Sequence, residues 1–114
     1  MSRAKVTEDK IEVKNRVFSS FFLEMENAVL ILLSEGENRL GTLAVAIPSA
    51  SKTGNPPLSS ILLGDRNVMT ARSLAERFVK KMNKIILLSI FVRSMDEREV
   101  APALLKLAEK SLTS

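Results

Sequence analysis

Regular alternation of apolar and polar residues begins near Ile11. Ile11, Val13, Val17, Phe21 and Leu23 share one parity while Glu12, Lys14 and Arg16 take the other, which predicts a half-buried strand. Phe18 and Phe22 interrupt the alternation, so the second half of this strand is expected to be buried on both sides. A polar break at residues 24–27 precedes the apolar run AVLILL, and the stretch reads as strand, hairpin turn, strand. The run stops at Ser34, Glu35, Gly36, Glu37 and Asn38. Leu40, Leu43, Val45 and Ile47 then mark a third strand, ended by Pro48, which has no N–H for a ladder. A fourth strand, residues 58–63, ends at Gly64 and Asp65.

From Ala71 the period changes. Ala71, Leu74, Ala75, Phe78, Val79 and Met82 form one stripe of an amphipathic helix, with Asp65, Asn67 or Thr70 as candidate caps and Asn83 as its stop. Residues 85–92 are a near-continuous apolar run of strand length. Ala101, Leu104, Leu105, Ala108 and Leu112 mark a second helical stripe, and Asp96 and Glu99 have the spacing of a capping box. Pro102 belongs in a first helical turn, which places the regular start near Val100. Residues 1–10 lack periodicity and read as a flexible arm; residues 48–57, with three of the four prolines, read as an irregular loop. The expected organisation is a single α+β domain over residues 11–114 in the order β-β-β-β-α-β-α. It forms one antiparallel or mixed sheet of about five strands with two amphipathic helices on one face.

Two helices cover one face of such a sheet, yet AVLILL and IILLSIFV carry large apolar side chains on both parities. No third helix remains for the second face, which predicts a dimer packed sheet to sheet. The alternative is a monomer in which the N-terminal strand and the 48–57 loop fold over that face.

Composition changes the picture chiefly by exclusion. At 114 residues, with 46% hydrophobic and 26% charged residues, the chain is long enough for one core and no more. The absence of Cys and His removes disulfides, thiolate nucleophiles, Cys-ligated zinc and iron–sulfur clusters, and the commonest general base. No cofactor is implied, and no nucleophile, base and orienter can be assembled into an enzyme site. The apolar runs are far short of the ~20 residues that span a bilayer. The charged N-terminus does not resemble a signal peptide, so a cytoplasmic location is expected.

The net charge of +4 is concentrated in Arg66, Arg72, Arg77, Lys80, Lys81 and Lys84, opposed only by Glu76. This basic helix face is the candidate partner-binding surface, and the alternative is a solvated face with no partner. Nucleic acid is the weaker choice of partner, because no aromatic residue is interleaved for stacking. Leu62-Leu63-Gly64-Asp65 before a helix suggests an anion site beside Arg66, but an aspartate there repels phosphate and suits a turn and cap better. Asp96, Glu97 and Glu99 form an acidic cluster that reads as a helix start rather than as a catalytic or metal site.

Residues 62–84, LLGDRNVMTARSLAERFVKKMNK, resemble the proteasome assembly chaperone 4 family. The resemblance rests on Leu62, Leu63, Gly64 and Asp65, followed by Leu74, Ala75 and Arg77 and then by Asn83 and Lys84. Leu43-Ala44-Val45-Ala46, the strand holding Ser89 and the closing helix extend it over residues 11–112. The resemblance implies a small non-enzymatic chaperone that dimerises with itself or with a related assembly chaperone and helps proteasome α subunits form a ring. Loop 48–57 and the Met69-Thr70 position depart from the pattern, which leaves the basic helix face and that loop as alternative contact surfaces. The C-terminus has no hydrophobic-Tyr-x tail, so the expected mode is surface docking. A longin- or roadblock-type scaffold for a GTPase and a basic nucleic-acid-binding module are the competing functions.

Overall fold

The computed structural model describes residues 4–49 and 58–112. It contains strands β1 (Lys5–Val13), β2 (Arg16–Glu24), β3 (Ala28–Glu35), β4 (Thr42–Ile47) and β5 (Leu58–Leu63), helix α1 (Val68–Met82), strand β6 (Ile85–Phe91) and helix α2 (Glu97–Leu112). The strands form one mixed sheet in the order β1-β2-β3-β6-β4-β5. β6 runs parallel to β3 and antiparallel to β4; every other pairing is antiparallel.

The α+β class, the β2–β3 hairpin and both helices match the sequence reading, but the sheet has six strands where about five were expected. The difference arises at Lys14 and Asn15. Both have positive φ, 51° and 64°, and this left-handed pair folds the predicted first strand into two. β1 thereby begins at Lys5, so a strand occupies most of the segment read as an arm. Its charged residues hide it from a periodicity test, because an edge strand is held by its ladder to β2 more than by burial. Most of the 48–57 loop lies outside the described residues.

Register assigns the two faces. Phe22, Ile31, Leu88 and Ala44 are successive partners across β2, β3, β6 and β4, so they share a face, and all four are buried. Both helices cover that face: α1 packs on β4, β5 and β6, and α2 on β1 and β2. The Phe78 ring of α1 meets Phe22 edge-on at 5.8 Å, and the Ser111 hydroxyl of α2 hydrogen-bonds that of Ser20. Ala44 and Ala46 are fully buried beneath α1, and their small side chains allow the helix to approach closely.

Two helix starts differ from the sequence rules. α1 begins at Val68 after Asn67, which is left-handed and makes no side-chain cap; Asp65 and Thr70 do not cap it either. The orphan N–H of Thr70 is instead taken by Glu97 of α2 at 2.8 Å, with the Thr70 hydroxyl donating to the same oxygen at 2.7 Å. α2 begins at Glu97, ahead of Val100. Asp96 Oδ1 accepts the Glu99 N–H at 2.9 Å, and the Val100 N–H already bonds the Asp96 carbonyl at 3.0 Å. Pro102 therefore lies inside the helix on its exposed side, where water can satisfy the carbonyl it leaves unbonded. Asn83 ends α1 as expected, left-handed with φ 53° and its N–H on the Val79 carbonyl.

Phe78 is fully buried at the seam between α1 and the sheet. Phe78→Ala is expected to cost about 3–5 kcal/mol of folding stability, measured by urea unfolding at fixed protein concentration.

Candidate partner-binding surfaces

The second face of the sheet has no helix over it among the described residues; residues 36–41 cross one end of it, hydrogen-bonded to Ser19, Ser34 and Ser89. Its apolar side chains include Phe21 and Leu23 from β2, Leu30 and Leu32 from β3, Leu87 and Phe91 from β6, and Leu43, Val45 and Ile47 from β4, and Ser19, Ser34, Ser89 and Ser60 share the face. These apolar side chains are all half-buried or exposed, whereas Ser19, Ser34 and Ser89 are buried. Leu58 at 70% exposure and Leu63 at 49% extend the patch onto β5, where Leu62 is the extra residue of a bulge. From β2 to β5 this face carries no charged side chain; Glu8, Lys10 and Glu12 appear only on β1. Five strands of about six residues make a patch of roughly 20 by 20 Å. That is in the range where the largest apolar patch of a monomer marks an interaction site. Phe91 closes one end of it, with the Arg39 and Arg93 guanidinium groups 5.6 and 5.1 Å from its ring centroid.

The six basic residues singled out in the sequence are on the opposite side, and most are engaged within the chain. Arg77 and Lys81 both hold Glu109 of α2, at 2.8 and 2.7 Å. Arg72 donates to the Ser59 hydroxyl of β5 at 3.1 Å, and Ser59 also hydrogen-bonds the Glu76 carboxylate. Lys84 bridges the Glu24 carboxylate at 2.9 Å and the Met25 carbonyl at 2.8 Å, tying the end of α1 to the β2–β3 turn. Only Arg66 and Lys80 form no ion pair or hydrogen bond among the described residues. The face is therefore less a reservoir of free charge than a set of clamps between α1 and its neighbours, which residue counting did not reveal.

The motif residues fall into two groups. Leu74 and Ala75 are buried in the core, and Asn83 is the C-cap of α1. Leu62, Leu63 and Asp65 are exposed at the β5 edge, and Gly64 makes the turn into α1 with φ 87°. A Cβ at Gly64 would come within 2.8 Å of the Thr42 Cα, so the position demands glycine for space as well as for conformation. The acidic cluster is structural throughout: Asp96 caps α2, Glu97 caps α1, and Glu99 pairs with Lys14 at 3.2 Å.

Two carboxylates link these contacts to pH. The Lys81 ammonium and Arg77 guanidinium hold Glu109 below the ordinary glutamate value. At Glu35 partial burial pushes upward, but hydrogen bonds from the Ser94 hydroxyl and from the Arg93 and Ser94 backbone N–H groups outweigh it and leave a net lowering. A lowered folded-state value means stability that is present above the unfolded glutamate value and lost as the pH falls through the folded one. Folding stability is expected to decline from about pH 4.3 downward, and less steeply in a Glu35→Gln/Glu109→Gln variant. Urea midpoints across that range give the measurement; identical slopes in the two proteins would contradict it.

A family model described as proteasome assembly chaperone 4 matches residues 20–92, from within β2 to just beyond β6. Among solved structures, the chain is similar to one from the crystal structure of a novel chaperone complex for yeast 20S proteasome assembly. The TM-score is 0.69 at 16% identity, over 96% of this chain and 93% of that one. At that identity the likeness establishes a shared fold and nothing finer. No curated protein matches the sequence. The matched segment spans more than half of the 114 residues and contains Leu62 to Lys84 entire, so the chain belongs to the proteasome assembly chaperone 4 family.

Proposed function

We propose that this proteasome assembly chaperone acts as a dimer, formed with a second copy or a related chaperone, that binds proteasome α subunits and assists their assembly into a ring. The observation that carries the reading is the family match over residues 20–92. The uncovered apolar face supports the dimer: covering a leucine side chain contributes about 1.5–3 kcal/mol, and the patch offers several. The fold likeness to a chain of a yeast chaperone complex for 20S proteasome assembly agrees with a subunit that works in a complex.

Sheet-to-sheet pairing leaves the helix layer outward, and the α subunit is assigned to that layer. Of the six basic residues, Arg66 and Lys80 form no ion pair or hydrogen bond among the described residues and are the proposed contacts; Arg72, Arg77, Lys81 and Lys84 hold the surface in shape. A nucleic-acid partner is disfavoured by the same pairing, since few cations remain for phosphates. The work is done by binding, without catalysis or cofactor, and its place is the cytoplasm. Among the described residues no helix is long and apolar enough to cross a membrane.

Native mass spectrometry of the chain with individual proteasome α subunits tests the proposal. A dimer is expected to bind at least one free α subunit and not the finished particle. Leu87→Arg, on the uncovered face, is expected to give a folded monomer, because one buried unpaired charge at the centre of an apolar interface costs several kcal/mol. Binding to no α subunit would overturn the assignment, and an undisturbed dimer in Leu87→Arg would exclude that face.

A further inference from the structure

The first turns of α1 and α2 lie side by side, joined by the bonds from Thr70 to Glu97, and further along the helices are joined again through Glu109. Between these two ties is a groove of about 920 Å³, the largest of the described concavities and the most apolar. Small residues open it: Ser73 on α1 faces Ala101 on α2. Leu74 and Leu105 lie deeper, and Met69 and Pro102 form the walls. Met69 is 76% exposed, a large apolar side chain in the first turn of a helix with nothing to cover it.

Charge around the groove indicates what fits it. Arg98 and Lys106 flank Pro102 at intervals of four on one ridge of α2, and neither has an ion pair or hydrogen bond among the described residues. At the far end Arg77 and Lys81 share a single carboxylate. The two acids that line the groove, Asp96 and Glu97, are already committed as acceptors to helix N–H groups. Both acids keep their negative charge at the N-terminal mouth of the groove, whereas the ridge along α2 is positive at Arg98 and Lys106, and the floor is apolar.

We infer that this groove docks an amphipathic helix of a partner protein, apolar on the stripe that enters between Met69 and Leu105 and acidic on the flank that meets Arg98 and Lys106. Such a site deepens the proposed function, resting on the reading that the helix layer is the client-facing side. It lies on the face opposite the uncovered sheet, so dimer and client do not compete. An apolar side chain inserted between Ser73 and Ala101 supplies most of the affinity, and the basic ridge selects the sign of the partner.

The test uses the full chain with labelled Met, Ala and Leu methyl groups. The probe is a designed helical peptide of about 18 residues, or five turns, with a Leu stripe and Glu flanks; a second peptide has Lys in place of each Glu. The acidic peptide is expected to shift the methyl signals of Met69, Ala101 and Leu105 saturably. Binding is expected to weaken by about tenfold or more with the Lys peptide and in Arg98→Glu/Lys106→Glu, both changes placing like charges together. Ala101→Trp, which fills the groove, is expected to abolish it; the surface double variant keeps the test decisive if the tryptophan disturbs folding. Shifts confined to Leu32 and Leu87 on the sheet, equal affinity for the two peptides, or no binding would each overturn the inference. Groove binding of the peptide without binding of any α subunit upholds the site and overturns the proposed function. Binding of α subunits undiminished in both groove variants does the reverse.

Discussion

β6 enters the middle of the sheet, between β3 and β4, and the rest of the molecule depends on that insertion. Its alternate residues Ile86, Leu88 and Ile90 complete the covered core, while Leu87 and Phe91 complete the apolar patch on the other side. Because β6 carries apolar side chains on both parities, both of its faces gain by removal from water. Two helices of 15 and 16 residues cover one of them. The uncovered face is thus a consequence of topology, with both helices on one side of the sheet.

The helix layer answers a second constraint. α1 and α2 cover different strands, α1 on β4 to β6 and α2 on β1 and β2, and between them they bury little apolar surface. They are held in step by polar contacts at both ends, Glu97 on the first turn of α1 and Glu109 on Arg77 and Lys81. Exposed ion pairs of this kind contribute little individually, about 0–1 kcal/mol each. Their effect is positional: they set the spacing of two parallel helices and leave an apolar groove between the ties.

Periodicity made much of this legible. β3, β6 and the stripe of α1 follow from residue spacing, because each buries an apolar set against the core. The turn at Lys14 and Asn15 was hidden, since asparagine tolerates the left-handed region but no glycine accompanies it to mark a two-residue turn. Long-range contacts were hidden for a different reason. Glu97 caps a helix that begins 29 residues earlier, and Glu109 neutralises cations 28 and 32 residues away, which no local rule can foresee. The basic residues were therefore legible as a cluster, but not as four clamps and two charges without an ion pair or hydrogen bond among the described residues. The groove was invisible in the sequence, where Ser73 and Ala101 are merely small residues on separate helices.

The central claim is that the uncovered sheet face is the inner surface of a dimer. Its most direct test is the relaxation that a soluble paramagnetic agent imposes on the methyl groups of Leu30, Leu32 and Leu87, compared with that on Met69, as protein concentration is raised. The account predicts that the three leucines become shielded with increasing concentration while Met69 on the opposite face stays accessible. Leucine methyls that remain as accessible as Met69 at every concentration would contradict it.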